Sequence, residues 1–347
     1  METSGDRTLT IGEIVQILNL EGIPENCSTL KVSKVCPPGE AKEGCTVVVS
    51  DPKLLKKLRG KPTLLVVKKG LKVPDGAAEC VIEVENPKLA LALLLRELYP
   101  EKHPVGISEK ATVGENVFVG KDVYIGDFVF IGNNVQLADG VKIYPGSYIG
   151  NNVVIGENSV IYPNAFVGDG TVIGKNVKIY PGAVVGKEGF GFAFDGKKHR
   201  RLRHVGITVI EDDVEIGANS CVDRALLEKT VVGEGSKVDN LVQIGHNDKI
   251  GQGVILVSQV GLSGSVEVGD YSVLAGQVGV ADHVKIGKGV TVTAKSGVAN
   301  DLEDGKIYGA NLPAVEWSYW KKVYVLLLKL PELFRRLRAL EKLLKNR

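Results

Sequence analysis

The sequence has little of what marks a nucleic-acid-binding or membrane-spanning chain. Lysine plus arginine number 43 and aspartate plus glutamate 41, so the formal net charge is only +2. A balance this even provides no overall field that would attract nucleic acid. The apolar run at residues 323–328 is flanked by lysines and is much shorter than a membrane-spanning helix. We therefore expect neither nucleic-acid binding nor a membrane span.

Cysteine is also scarce, and its spacing is uninformative for metal binding. No two of the five cysteines form a C-x-x-C pair, which excludes the usual zinc-ribbon and redox motifs. An odd number of scattered cysteines, without a signal-peptide pattern, predicts a reducing environment and a cytoplasmic location. The five are Cys27, Cys36, Cys45, Cys80 and Cys221.

Glycine is abundant, with 42 residues, and it accompanies a strict repeat. In residues 232–298 an aliphatic residue occupies every sixth position, and a similar series covers residues 113–185. A period of six fits neither an α-helix nor a simple alternating strand, whereas hexapeptide repeats mark a parallel β-helix. Three hexads complete one turn, so residues eighteen apart should stack about 4.8 Å apart. The positions in the series over residues 232–298 are Val232, Val238, Ile244, Ile250, Leu256, Leu262, Val268, Leu274, Val280, Ile286, Val292 and Val298.

The repeat divides the chain into three parts and predicts a mainly β protein. Residues 1–103 lack hexads and alternate strand and helix signals, including an Asp51-Pro52 helix start, so they predict a small α/β domain. Residues 104–310 predict the β-helix, interrupted by an inserted loop at 187–206. Residues 311–347 predict C-terminal α-helices, with Pro331 ending the first of them.

One histidine interrupts the ladder of small and aliphatic residues, and it is the strongest candidate for chemistry. His246 lies in the run Gln-Ile-Gly-His-Asn, and a solvated surface histidine is the simpler alternative. Polar neighbours favour a general base, with Asp239 hydrogen-bonded to one imidazole nitrogen so that the other stays basic. The further polar neighbours are Asn240, Gln243 and Asn247.

The eighteen-residue turn suggests two partners for His246. Gly264 should stack one turn away and offer a backbone N–H to an oxyanion, although an ordinary corner glycine is a strong alternative. His283 should lie on the same side of the prism, either binding substrate or simply solvated. No close pair of histidines is evident, so we predict no metal site.

Two further segments carry candidate binding residues. The loop begins Gly189-Phe190-Gly191-Phe192 and continues into a basic stretch. It either lets the backbone approach a phosphate or pantetheine arm or is a flexible solvated loop. The C-terminal segment is basic at Arg335, Arg336 and Arg338. These arginines either dock an acidic partner or form the solvated face of an oligomerising helix.

Taken together, these features resemble one family of hexapeptide-repeat acyltransferases. The N-terminal α/β domain, the Gly-Phe-Gly-Phe loop, Val222-Asp223-Arg224, Asp239-Asn240 and the Gln-Ile-Gly-His-Asn run are similar to the UDP-3-O-acylglucosamine N-acyltransferases of lipid A synthesis. The resemblance implies a left-handed β-helix, a homotrimer with active sites between subunits, and an (R)-3-hydroxyacyl chain on acyl carrier protein as donor. It implies no metal or other cofactor, the phosphopantetheine arm being part of the substrate.

The resemblance also assigns roles to single residues. It makes His246 the general base, Gly264 the oxyanion amide, Asp239 the carboxylate near the base and His283 a second histidine that contacts substrate. The free imidazole pKa of about 6.5 suits a base at neutral pH.

The sequence departs from this family in the N-terminal domain. The family holds uridine with a Phe-x-x-Asn-x-x-Tyr pattern, and the matching residues here are Val48, Asp51 and Leu54. The expected reaction is acyl transfer to the 2-amino group of UDP-3-O-acylglucosamine. The departure keeps open a related acyltransferase acting on another nucleotide sugar. A third alternative is a non-catalytic β-helix binding module.

Overall fold

The structure is a computed structural model that describes residues 7–22, 27–310 and 314–345. The chain divides into two compact units, residues 1–103 and residues 104–347. The segment Asn311-Leu312-Pro313, from which the sequence leads into the C-terminal helix, lies outside the described residues.

The N-terminal unit is a small α/β domain built on a parallel sheet. Two apolar clusters flank the sheet, and the larger packs it against helices α1 (Ile11–Ile17) and α3 (Pro87–Leu98). The sheet strands, in spatial order, are Lys34–Val35, Cys45–Val49, Leu64–Lys68 and Cys80–Val84. A separate antiparallel pair joins Leu9–Thr10 to Lys31–Val32. The helices are α1 (Ile11–Ile17), a 3-10 turn at Pro38–Glu40, α2 (Pro52–Leu55) and α3 (Pro87–Leu98).

The three positions that depart from the family pattern are used for folding in this domain. Asp51 caps α2, since its Oδ1 accepts hydrogen bonds from the backbone N–H groups of Lys53 and Leu54 at 2.8 and 3.0 Å. Val48 packs on the cluster that contains α1 and α3, and Leu54 packs on the opposite cluster. Neither Val48 nor Leu54 offers an aromatic surface on which a nucleobase could stack.

The cysteines of this domain contradict the expectation drawn from their spacing. Cys27 and Cys80 form one disulfide, and Cys36 and Cys45 form another, each pair with Cα atoms 5.8 Å apart. Only Cys221, in the β-helix, is a free thiol among the described cysteines. The two cysteines of the first pair are 53 residues apart in sequence and meet only through the fold. Sequence spacing alone therefore missed both pairs.

The second unit is a parallel β-helix, in which three sheets form a triangular prism. Strands eighteen residues apart pair directly, as Ile125 does with Ile143, so the repeat rule is confirmed. Face 1 comprises Gly106–Ile107, Tyr124–Ile125, Lys142–Ile143, Val160–Ile161, Lys178–Ile179, Glu215–Ile216, Lys237–Val238, Ile255–Leu256, Val273–Leu274, Thr291–Val292 and Ile307–Tyr308. Face 2 comprises Thr112–Val113, Phe130–Ile131, Tyr148–Ile149, Phe166–Val167, Val184–Glu188, Cys221–Arg224, Gln243–Ile244, Gly261–Leu262, Gly279–Val280 and Gly297–Val298. Face 3 comprises Phe118–Val119, Gln136–Leu137, Val154–Ile155, Val172–Ile173, Ile207–Ile210, Lys229–Val232, Lys249–Ile250, Glu267–Val268 and Lys285–Ile286.

The hexad side chains fill the prism, and polar residues shape its corners. The aliphatic residues at every sixth position form one continuous buried core. Many corner positions adopt left-handed backbone angles and carry asparagine, as at Asn134 (φ 57°) and Asn152 (φ 57°). Asparagine tolerates this conformation. The residue before Asn134 caps the neighbouring turn, since Asn133 Oδ1 accepts from the Glu115 N–H at 2.8 Å.

The inserted loop projects from the prism as a hairpin. Its strands, Phe192–Phe194 and His199–Arg201, pair antiparallel with each other. Two of its arginines pair with carboxylates of the same region, Arg201 with Glu188 at 2.6 Å and Arg200 with Asp195. A second departure from the hexads, between Arg224 and Lys229, joins faces 2 and 3 just before the turn that carries His246.

The C-terminal segment forms one continuous helix, α4 (Trp317–Lys345), so the predicted break at Pro331 is wrong. Proline removes one helical hydrogen bond and crowds the carbonyl four residues earlier. Here strong helix formers follow at once, in Leu333, Arg335 and Leu337, and the helix continues. The described side chains of α4 are nearly all exposed, including its leucines.

Candidate active site

His246 lies in the turn between faces 2 and 3, and its neighbour Asn247 sets its tautomer. Asn247 Oδ1 accepts the Leu226 N–H at 2.9 Å and lies 3.1 Å from His246 Nδ1. An oxygen that accepts both groups requires the proton to be on Nδ1, so Nε2 carries the lone pair. The Asn247 backbone is held in turn by Thr230, whose Oγ1 accepts its N–H at 2.8 Å. The half-buried imidazole is therefore oriented as a base through Nε2.

The expected bond between Asp239 and His246 is absent from this chain. Asp239 follows a face 1 strand, so it lies at the corner between faces 1 and 2, whereas His246 lies at the next corner. Its carboxylate accepts the backbone N–H groups of Asn240 and Ser258 at 2.7 and 3.0 Å. The seven residues from Asp239 to His246 cover one corner and one strand. The two side chains therefore lie at different edges of the prism. Asn247 performs the role that the sequence assigned to Asp239.

Asp239 and Asn240 instead line a separate exposed groove of about 690 Å³. Tyr180, Glu215 and Lys237 line it with them. The Asn240 side chain accepts the Ala218 N–H at 2.7 Å, which fixes its amide at the groove edge. The predicted site residues thus form two groups at two corners.

Gly264 stacks directly on His246, as the eighteen-residue turn predicts. A β-carbon at Gly264 would lie 2.6 Å from both Cε1 and Nε2 of the imidazole. The Gly264 backbone is outside the left-handed region, so its conformation does not require glycine. Among the described hydrogen bonds none uses the Gly264 N–H, although the Gly264 carbonyl accepts the His283 N–H at 3.2 Å. Proximity to the histidine, rather than the corner, requires glycine here.

The loop glycines have the same steric explanation, and they reveal a residue that the sequence reading missed. A β-carbon at Gly189 would lie 3.0 Å from His204 Nε2 and 3.0 Å from the His246 β-carbon. One at Gly191 would lie 2.9 Å from His204 Cε1. The rings of His204 and His246 meet edge to face, with centroids 5.0 Å apart. The inserted loop therefore places a second histidine beside the base, forty-two residues away in sequence.

Two buried carboxyl groups surround this pair. Asp248 accepts the N–H groups of Gly245 and Val266 at 2.7 and 2.8 Å and closes the turn that carries His246. Burial raises the pKa of Asp248 to about 8, so at neutral pH this carboxyl group is mainly protonated. Asp223, also buried, lies 2.6 Å from the ammonium group of Lys187. The base therefore stands among groups that carry little net charge.

The side chains of the remaining predicted residues make other contacts or are exposed. His283 follows a face 2 strand two turns beyond His246 and is exposed. Gln243 donates from Nε2 to the Ile244 carbonyl at 3.0 Å. Phe190 is 82% exposed and packs edge to face against Phe192, with ring centroids 5.1 Å apart.

The predicted basic surface is on α4. Arg335 is exposed, Arg336 pairs with Glu332 at 2.6 Å, and the Arg338 guanidinium lies 5.3 Å from the ring centre of Phe334. In the part of the chain that the structure describes, no helix is both long and apolar enough to cross a membrane. The same part contains no cluster of three His, Cys, Asp or Glu side chains suited to a metal ion.

The fold and the repeats define a hexapeptide-repeat β-helix protein. Residues 207–246 match the family described as the hexapeptide repeat of succinyl-transferase, and residues 102–190 match the GMPPB C-terminal domain.

Within this class, part of the chain is similar to curated UDP-3-O-acylglucosamine N-acyltransferases. It is 57% identical to the protein from Syntrophotalea carbinolica over 79 residues, 23% of each chain. It is 56% identical to the protein from Oleidesulfovibrio alaskensis over 157 residues, 45% of this chain and 46% of the relative. Both matches span less than half of the relatives' length.

Two solved structures are similar to part of this chain. The Arabidopsis UDP-N-acetylglucosamine acyltransferase is 26% identical and superposes with a TM-score of 0.49, covering 59% of this chain and 71% of that one. The Francisella novicida UDP-N-acetylglucosamine acyltransferase is 29% identical with a TM-score of 0.46, covering 56% and 63%.

Proposed function

We propose that the protein is an N-acyltransferase that moves an (R)-3-hydroxyacyl group from acyl carrier protein to the 2-amino group of UDP-3-O-acylglucosamine. The observation that carries the proposal is the single corner where His246 Nε2, the unpaired Gly264 N–H and the glycines of the inserted loop meet. Homologues that carry this name support the choice of reaction.

The chemistry follows from these groups. The acceptor amine attacks the thioester carbonyl, forming a C–N bond while His246 Nε2 takes the amine proton. The Gly264 N–H donates to the oxyanion of the tetrahedral intermediate. The C–S bond then breaks, and the pantetheine sulfur leaves as a thiol after it receives the proton from His246. No metal or redox group takes part in these steps.

An acyl-transfer assay with the purified protein tests this proposal. The donor is (R)-3-hydroxyacyl acyl carrier protein, the acceptor is UDP-3-O-acylglucosamine, and mass analysis identifies the product. His246→Ala should reduce kcat by roughly 100- to 10,000-fold, the usual contribution of a general base. Turnover by this variant at the wild-type rate, with the fold intact, would contradict the mechanism.

The proposal includes a homotrimer whose sites are shared between subunits. A site shared between two subunits would explain why Asp239 and Asn240 lie at one corner of the prism and His246 at another. Mixed trimers of His246→Ala and Asn240→Ala chains test the arrangement. Restored activity in the mixture, with each parent variant inactive, is the expected result; a mixture no more active than its parents rules out a shared site.

Acyl carrier protein is the proposed partner of α4. The exposed helix α4 carries positive charge at Arg335, Arg336 and Arg338. Acyl carrier proteins have acidic surfaces, to which the charge of such a helix is complementary. Reversing the three arginines to glutamate should raise KM for the carrier-bound donor. It should not change KM for the nucleotide sugar.

The donor places the proposed reaction in the cytoplasm. Disulfides are uncommon there, although intracellular proteins of hyperthermophiles keep them. The two pairs in the N-terminal domain are compatible with that exception.

A second acceptor is favoured by one observation. Val48 and Leu54 pack in the N-terminal domain and Asp51 caps α2, so these side chains do not form an aromatic and amide pocket for uracil. A domain without this uracil pocket favours an acyltransferase that acts on another nucleotide sugar. A panel of nucleotide-sugar amines with one donor decides between the two, since the true acceptor should give the highest kcat/KM.

A further inference from the structure

His204 is a buried side chain beside the base that the proposed mechanism does not use. It is only 2% exposed, although it belongs to the inserted loop. Its Nδ1 lies 2.9 Å from the Leu202 carbonyl oxygen, which can only accept a hydrogen bond. Nδ1 therefore carries the proton, and Nε2 carries a lone pair.

That lone pair has no hydrogen-bond partner among the described residues. A buried acceptor without a partner destabilises the fold, so its retention requires a reason. Nε2 faces the space beside Gly189, which also borders the His246 side chain. The loop is held in this position by the Leu202 N–H, which donates to the Gly191 carbonyl at 2.9 Å.

We propose that His204 is a positioning residue for His246: its fixed neutral ring, packed edge to face against the base and carrying an unprotonated Nε2, stabilises the positive charge that the base acquires. The inference rests on the proposed function for its catalytic consequence. A neutral imidazole has its negative end at the unprotonated nitrogen, and a dipole held in place needs no reorganisation during the reaction. The edge-to-face contact of the two rings also limits the rotation of His246.

The surroundings keep His204 uncharged. Burial lowers the pKa of His204, and the nearby His246 lowers it further when it is protonated. The charged groups that face the pair are largely matched: Glu188 pairs with Arg201 and Asp223 with Lys187, while Asp248 is mainly protonated and Arg203 lies near Glu188. His204 can therefore remain an acceptor over the pH range in which the base works.

The test compares variants that keep or remove the acceptor. His204→Phe retains a ring without a lone pair, and His204→Gln can place a carboxamide oxygen near the position of Nε2. In the Phe variant we expect kcat to fall at least 10-fold with KM nearly unchanged, and the midpoint of the acid limb of kcat/KM to move to lower pH. The Gln variant should recover to within about 3-fold of wild type. These magnitudes follow from loss of one electrostatic contact in a buried site.

A second measurement separates this inference from the proposed reaction. Carbethoxylation of His246, followed against pH by peptide mass mapping, reports its protonation without any substrate. We expect its midpoint to move to lower pH in His204→Phe and to return in His204→Gln. If the wild-type protein transfers no acyl group to this acceptor, the proposed function fails, and the modification result still decides on His204.

An unchanged midpoint in a folded His204→Phe protein would overturn the inference. A shift of the midpoint in His204→Phe that His204→Gln does not reverse would overturn the inference as well. The hydrogen-bond acceptor at residue 204 would then not be the cause of the shift. Circular dichroism establishes folding, and His204→Leu replaces the Phe variant should the latter unfold.

Discussion

Gly264 presents its α-carbon to the His246 imidazole at a distance that leaves no room for a side chain. A β-carbon there would lie 2.6 Å from Nε2, well inside van der Waals contact. The residues are eighteen apart in sequence, and one turn of the β-helix superposes them. The atom proposed to accept the substrate proton and the amide proposed to bind the oxyanion are therefore adjacent.

The first prediction concerns that contact. Gly264→Ala should displace the imidazole and lower kcat/KM by roughly 100-fold or more, the range seen when an oxyanion donor is lost or misplaced. Gly279→Ala is the matched control, since Gly279 also lies on face 2 and has nothing within 4 Å of its added carbon. Equal kcat/KM values for the two variants would remove the steric explanation for Gly264.

The second prediction concerns the tautomer of the base. Asn247 has φ 64°, where alanine is strained, so Asn247→Gly removes the amide without distorting the turn. The variant loses the acceptor for His246 Nδ1 and for the Leu226 N–H, and we expect kcat to fall at least 10-fold. Asn247→Asp keeps both accepted hydrogen bonds and should retain more activity. Assays of both variants at one pH check this order, and a more active Gly variant would contradict it.

The third prediction concerns stability against pH. Burial raises the pKa of Asp248 to about 8, above the usual value of 3.8. The folded state then binds more protons than the unfolded state between these values, so Asp248 makes the free energy of unfolding fall as pH rises from about 4 to 8. Asp248→Asn should remove this part of the slope. Denaturant titrations of both proteins at several pH values measure it, and parallel pH profiles would show that Asp248 ionises normally.

The fourth prediction concerns the disulfides of the N-terminal domain. The unfolded, unreduced protein should show one reactive thiol, Cys221, and five after reduction. Closing loops of 53 and 9 residues should stabilise the domain by roughly 4 and 2.5 kcal/mol in the loop-entropy estimate. Thiol counting tests the pairing, and thermal unfolding with and without reductant tests its effect. Five reactive thiols before reduction would exclude both disulfides.

Part of the site could be read from the sequence because it depends only on the repeat. The spacing of Gly264 from His246 and the shared side of His283 follow from an eighteen-residue turn. Asp239 could not be placed in the same way, because seven residues cross a corner and reach another edge of the prism. His204 left no periodic signal, since it lies in the insertion; the two loop glycines beside it are a signal only when the packing is known.

The sequence by itself determined the β-helix, its register and the stacking of Gly264 on His246, because a strict period converts position directly into distance along the prism axis. Only the tertiary structure decided which groups surround the base: Asn247 instead of Asp239, His204 from the loop, and the paired cysteines of the first domain. Insertions and disulfides bring together residues whose separation follows no period, and their contacts depend on packing in three dimensions.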